Sequence, residues 1–258
     1  MKRFRILFHS SWIFLAIVAQ IAAQQVTETT VTMSDGITLD ALYCRPSSPA
    51  PANGHPAVLL VHGFAGSKND VRSLAVSFAA QGYVTVGYSV RGQGASGGLF
   101  DFFSSERILA DLRAMIDFTA SQAQVNPARV AVLGGSQGGL HAWFAAAHKM
   151  PVRTVVSIIA NGRMRENWLE NNALNWIFSN ATLATGVRFD PTTLTLLQQA
   201  QQTGQYDSVR SFLTRYSSNE LEGEVEVPVA IIVSAHDVFF NQNAAIRQFA
   251  SVPTPSRF

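Results

Sequence analysis

RVAVLGGSQGGLHAWFAAAHKM, residues Arg129 to Met150, is the stretch that decides the fold. Val130, Ala131, Val132 and Leu133 make a short apolar run suited to a parallel strand buried on both faces. Leu140, Trp143, Phe144 and Ala147 then recur at helical spacing. Between the two lies Gly134-Gly135-Ser136-Gln137-Gly138, a G-x-S-x-G turn from strand into helix. In such a turn the serine is held in a strained backbone and pushed outward, and the flanking glycines are needed because side chains there would strike the neighbouring strand and helix. The turn also aims the Gln137 N–H and the positive end of the helix at one point, where a carbonyl oxygen turning negative would be stabilised. A glycine-rich turn without chemistry is the plain alternative, and the strand before it and helix after it weigh against that.

Working outward, the same rhythm repeats. Val26 to Met33 and Ile37 to Tyr43 are β-prone runs separated by Ser34-Asp35-Gly36, the signature of a hairpin. A loop with Pro46, Pro49 and Pro51 leads to the apolar strand Ala57 to Val61, which is followed by His62-Gly63-Phe64-Ala65-Gly66-Ser67. A helical stripe of Val71, Leu74, Ala75, Phe78 and Ala79 closes at Gly82, and Tyr83 to Tyr88 is the next strand. Arg91 to Gly98 is a glycine-rich loop, but it has no Walker lysine and does not open directly into a helix, so it is not read as a phosphate cradle. A helix with Ile108, Leu112, Met115 and Ile116 on one face precedes the Ser136 strand, and strands Thr154 to Ala160 and Val227 to Val233 come later. This alternation predicts an α/β fold, a mostly parallel sheet with helices on both faces and ligands at the carboxyl ends of the strands. From about 162 to 224 no strong strand occurs, and Trp168, Leu169, Trp176, Ile177 and Phe178 precede a Gln-rich segment with Leu194, Leu197 and Phe212. That length predicts an inserted helical lid, whose aromatics either line a pocket or pack the lid down.

The 258 residues, 47% of them hydrophobic, suit one substantial domain. The leading segment is basic through Lys2, Arg3 and Arg5, apolar from Trp12 to Ile21, and ends in Ala22 and Ala23, the layout of a secretory signal peptide over residues 1–23. Cleavage after Ala23 is expected to leave Gln24 first and to place the domain, 24–258, outside the cytoplasm, secreted or periplasmic; an uncleaved N-terminal anchor is the other reading. Without those three cations the net charge of +2 becomes −1, which gives no reason to expect nucleic acid, or a membrane once the leader is gone, as a partner. The single Cys44 can form no internal disulfide and reads as a buried thiol.

His62-Gly63-Phe64 after the third strand, Arg91-Gly92-Gln93-Gly94 with Ser96-Gly97 after the fourth, Gly134 to Gly139 after the fifth and Ser234-Ala235-His236-Asp237 after a late strand together resemble the α/β-hydrolase fold. Within it, the chain resembles the X-Pro dipeptidyl-peptidase and acyl-esterase group, over nearly all of the mature chain. The resemblance implies Ser136 as nucleophile, Asp237 as the acid that orients the base, and the N–H groups of Phe64 and Gln137 as the oxyanion hole. It implies a small-molecule or peptide substrate and neither metal nor organic cofactor. Each role has its own physical sense: a serine hydroxyl becomes a good nucleophile only when a histidine takes its proton, and the resulting imidazolium needs a carboxylate. For Asp237 the alternative is a helix cap ahead of Asn241 to Ala250.

In this superfamily the histidine follows the acid, yet His9, His55, His62, His141, His148 and His236 all precede Asp237, and no base is identified in the chain. Val252 to Phe258 reads as the approach to one more strand, so the last strand, helix and base histidine are expected beyond Phe258. Three functions stand: a secreted serine hydrolase acting on an ester, amide or peptide; a carboxylesterase or thioesterase without peptidase activity; and a catalytically incomplete binding protein on the same fold. Nothing in the sequence fixes the oligomeric state.

Overall fold

A computed structural model describes residues 25–101, 105–163, 166–167, 186–205, 219–237 and 240–253. The hairpin forms as its turn chemistry requires: β1 (Val26–Thr32) and β2 (Thr38–Cys44) pair antiparallel from Val26 opposite Cys44 to Thr32 opposite Thr38. Gly36, at φ +81°, takes the left-handed position between them. After β3 (His55–Val61), a 3-10 turn (Lys68–Val71) is started by a reciprocal cap in which Ser67 and Asp70 each bond the other's backbone. It runs into α1 (Arg72–Ala80). That helix stops as expected at Gly82: the Gly82 N–H reaches Ala79 O (3.1 Å), the Tyr83 N–H reaches Phe78 O (3.1 Å), and the Phe78 and Tyr83 rings meet edge-on at 5.6 Å.

β4 (Val84–Tyr88), α2 (Ser105–Ala120), β5 (Val125–Gly135), α3 (Gln137–Ala147) and β6 (Thr154–Ile158) follow. Then come α4 (Pro191–Thr203), a 3-10 turn (Asn219–Glu224), β7 (Val229–Ile232) and α5 (Gln242–Ser251). The seven strands lie in the order β1-β2-β4-β3-β5-β6-β7, and every pair from β4 to β7 is parallel. The chain steps from β3 to β4 on one side, then crosses back to β5 on the other. The register aligns Tyr88, Val61 and Gly134, and Gly135, Ile158 and Ile232, so the loops after β3, β4, β5, β6 and β7 emerge from one edge. A crevice at such a reversal is where open α/β sheets bind ligands.

Both faces of the sheet are covered, which explains the near-continuous apolar strands. Along β3, Ala57, Leu59 and Val61 join the core under α2 and α3, whereas Val58 and Leu60 join Leu42, Cys44, Ala75 and Ala79 under α1. Each such large side chain removed from water contributes about 1.5–3 kcal/mol. Every residue of α3 is buried, so it is a central helix rather than an amphipathic surface one. Cys44 is buried, and burial pushes its thiol pKa up, as befits a packing thiol.

Charged residues tie the hairpin to the parallel sheet. The buried Arg91 guanidinium forks onto Asp111 of α2 through Nε and one terminal nitrogen (both 2.7 Å), and its other terminal nitrogen reaches Asp35 in the hairpin turn at 2.7 Å. Lys68 is likewise enclosed, paired with Asp40 of β2 and Glu28 of β1. The leader (1–23) and the apolar residues Trp168, Leu169, Trp176, Ile177, Phe178 and Phe212 of the expected lid lie outside the described residues. Of the lid, α4 is described: Asp190 caps it through the N–H groups of Thr192 and Thr193, Pro191 occupies its first turn and Gly204 ends it at φ +66°. No helix among the described residues is long and apolar enough to cross a membrane.

Candidate active site

The turn between β5 and α3 has the geometry its glycines demand. Ser136 sits at φ +54°, ψ −121°, outside the regions that L-residues favour, and its N–H is held by Ile158 O of β6 at 2.9 Å. A Cβ on Gly138 would stand 2.0 Å from Val61 O, and one on Gly134 would stand 2.3 Å from the carbonyl carbon of Gly138. The intervening Gly135 is under no such pressure, its nearest neighbour being Ile158 O at 4.0 Å. The first and last glycines are therefore forced by the close passage of strand, helix and β3, while the middle one is not.

The β3 loop comes to the same place. A Cβ on Gly63 would lie 3.6 Å from the Cβ of Ser136, which puts the Gly63-Phe64 backbone beside the serine. Phe64 packs against Phe100 at 5.8 Å and Phe189 at 6.1 Å, and Ala65 after it is held at φ +60°. His62 holds the base of the loop: its Nδ1 donates to Gly63 O (2.6 Å) and its Nε2 accepts the Val90 N–H (2.9 Å). With both nitrogens engaged and burial lowering its pKa, it is a neutral structural group and not a proton acceptor for Ser136.

The N–H of Gln137, at the first position of α3, has no carbonyl a turn back in the helix to bond. The Gln137 side chain turns inward, where its Oε1 accepts from Gln93 Nε2 at 3.1 Å. The loop after β4 carries Gln93. Gly92, Gly94 and Gly97 in that loop do have the G-x-G-x-x-G spacing, yet the loop joins the lid rather than opening a helix: Gln93 bridges Val187, Phe100 bridges Phe189, and the Arg188 N–H bonds Gly92 O at 2.8 Å. Beside it, Ala65, Gly66, Ser67, Gly94, Gly186 and Arg188 line an open groove of about 360 Å³.

Asp237 follows β7 at the same sheet edge, two strands from Ser136. It is not the helix cap, because Asn241 caps α5 through the N–H groups of Asn243 and Ala244. Instead Asp237 Oδ1 accepts the Phe240 N–H at 2.8 Å, and the Asn241 N–H in turn bonds the buried Asn167 at 3.0 Å. His236 lies in a turn and is exposed. His141 is wholly buried on α3, 3.5 Å from the Tyr88 hydroxyl, and burial pushes its pKa down to about 3. His148 is exposed at the end of α3, edge-on to Phe144. Ser136, Gly63, Phe64 and Gln137 are thus brought together, and the buried histidines are packed away from them as structural groups.

Gln93 stands in the Arg91-to-Gly97 motif, but nothing in the sequence gives it a role of its own. Sequence reasoning passed over Ile159, a β-branched residue held at φ +46° whose N–H bonds Ile232 O at 2.6 Å.

Known proteins resemble this chain in sequence or in fold. An Escherichia coli 31.7 kDa protein of the traX-finO intergenic region is 26% identical over 208 residues, spanning 71% of this chain and 73% of its own. The acetyl xylan esterase from Paenibacillus sp. R4 superposes with a TM-score of 0.65 at 14% identity, over 93% of this chain and 83% of that one. The Pyrococcus furiosus esterase Pf2001 does so at 0.62 and 15% identity, over 99% and 87%. The pattern of the X-Pro dipeptidyl-peptidase (S15) family matches residues 35–206, more than half of the sequence. The fold is that of the α/β hydrolases, and the chain belongs to the X-Pro dipeptidyl-peptidase (S15) family.

Proposed function

We propose that this S15-family chain is a secreted serine hydrolase that cleaves an ester, amide or peptide bond through an acyl-enzyme on Ser136. The observation that carries the reading is the Ser136 backbone at φ +54°, ψ −121°, wedged where Gly134 and Gly138 permit contact with β3. Strain of this kind persists only where the surrounding structure over-determines it, and it presents the hydroxyl at the mouth of the crevice. Ser136 Oγ attacks the carbonyl carbon and gives its proton to a base. The carbonyl oxygen, now negative, is met by the N–H groups of Phe64 and Gln137. Collapse expels the protonated leaving group, and water then releases the acid and restores Ser136. Asp237 serves as the carboxylate that orients the base. The basic, apolar leader supports export.

The test is to treat the full-length protein with a fluorophosphonate probe. Ser136 should be labelled, and Ser136→Ala should abolish labelling and reduce turnover on the order of a millionfold. Retention of more than a tenth of the activity by Ser136→Ala would make the elbow reading wrong. Absence of labelling in the parent protein would leave the catalytically incomplete binding protein.

A further inference from the structure

The β3 loop and the Ser136 turn belong to different strands, and one buried side chain spans them. Gln93 accepts the N–H of Ala65 at its Oε1 (2.8 Å) and donates from its Nε2 to Gln137 Oε1 (3.1 Å). The orientation of both amides follows from the single group in this relay that cannot be reversed. A backbone N–H only donates, so the Gln93 atom facing Ala65 is the oxygen. The other end of Gln93 is then its NH₂, and the Gln137 atom facing it is an oxygen as well. Gln93 is also fixed from behind: its own N–H bonds Val90 O at 2.9 Å, and it bridges Val187 at the start of the described lid segment.

Each end of this relay adjoins a strained residue and one of the two N–H groups that flank the serine. Ala65, at φ +60°, directly follows Phe64, and Gln137 directly follows Ser136 at φ +54°. Oxyanion donors act only when set about 2.7–3.1 Å from the oxygen they receive, and a displacement near 1 Å costs up to about a hundredfold in rate. We propose, resting on the serine-hydrolase reading above, that Gln93 is a positioning residue that sets the separation of the Phe64 and Gln137 N–H groups. Its bridge to Val187 makes it also one point, beside the Phe64–Phe189 contact, through which the 186–189 segment bears on the oxyanion hole.

The relay supplies the test, made on the full-length protein with Gln93→Glu and Gln93→Ala. A carboxyl group at this position still accepts the Ala65 N–H and can reach Gln137 in either ionisation state: protonated, it donates to Oε1, and ionised, it accepts from Nε2, which has no other partner among the described residues and can turn to face it. Gln93→Ala, which has neither bond, should lose on the order of 10- to 100-fold in kcat with little change in KM. Gln93→Glu should keep more of the parent kcat than Gln93→Ala.

Hydrogen exchange at the Ala65 amide is read in parallel. Protection should survive in Gln93→Glu and disappear in Gln93→Ala, with thermal melts confirming that each variant is folded. An unchanged kcat for Gln93→Ala, a loss confined to KM, or continued Ala65 protection in Gln93→Ala would each overturn the proposal. If the parent protein neither labels nor turns over, the hydrolase reading fails, and the exchange measurement alone decides whether the relay exists.

Discussion

Gly138→Ala is the sharpest probe of why this turn has the sequence it has. The added methyl would lie 2.0 Å from Val61 O, 2.6 Å from the Val61 carbonyl carbon and 2.8 Å from His62 O. Ordinary carbon–oxygen contact needs more than 1 Å beyond the first of these, and neither side can retreat easily. β3 is hydrogen-bonded to β4 on one side and β5 on the other, and α3 is buried throughout. Overpacking of a rigid site costs about 1–3 kcal/mol, here at the upper end, and the gain from replacing a helical glycine returns about 1 kcal/mol. The net loss is about 2 kcal/mol, a fall in Tm of roughly 4–8 °C for a domain of this size. Fluorophosphonate labelling should fall on the order of a hundredfold, because any retreat separates Gln137 from the β3 loop. Gly135→Ala is the control: its nearest neighbour is 4.0 Å away, and its melt should shift by less than about 2 °C. Equal melting temperatures and labelling rates for the two variants would refute the argument that steric passage fixes the outer glycines.

Other substitutions test the rest of the site. Asp237→Asn keeps an oxygen for the Phe240 N–H, so it should fold normally while turnover drops about ten-thousandfold; unchanged turnover would move the acid elsewhere. Gly63→Ala places a methyl 3.6 Å from the Ser136 Cβ, an ordinary contact, so stability should hold while hydrolysis of a bulky ester slows on the order of tenfold, and an unaltered rate would mean that substrates do not pass there. His141 carries a folded pKa of about 3 against an ordinary 6.5, so protonation favours the unfolded chain. It has no effect on stability above pH 6.5, and below that it lowers stability by about 1.4 kcal/mol per pH unit until about pH 3. His141→Phe should flatten that acid limb in urea titrations run at several pH values, and parallel limbs would show that His141 does not stay neutral in the fold.

The order of elements and the serine turn were legible because their signals are local. Asp35-Gly36 specifies its own turn, the two-sided burial of Val130 to Leu133 shows in their unbroken apolarity, and Gly134 and Gly138 mark a close passage wherever the partner lies. What was not legible depends on residues far apart in the chain. The sequence names no partner for His62, whose ring nitrogens are taken by Gly63 O and the Val90 N–H. Asp237 could have been a helix cap until Asn241 is seen to take that place. Arg91 sits in a motif whose sequence does not reveal that its fork reaches Asp111 and Asp35. Gln93 has no signature, since its partners Ala65 and Gln137 adjoin it only once β3, β4 and β5 have met.

The register of β3 has a consequence for how the protein is made. This strand lies between β4 and β5, so one of its edges stays unpaired until the chain through Gly134 is available. The strained serine then needs Ile158 of β6 as well, and its turn cannot close before three separated segments have assembled. Contacts of such high sequence separation form slowly and late, because loop-closure entropy is lost before they give anything back. A chain that had closed only the hairpin and α1 would still lack a nucleophile, and it would show an open apolar strand edge of the kind that recruits other chains. During that interval the speed of closing β5 onto β3 decides between a finished hydrolase fold and an aggregate.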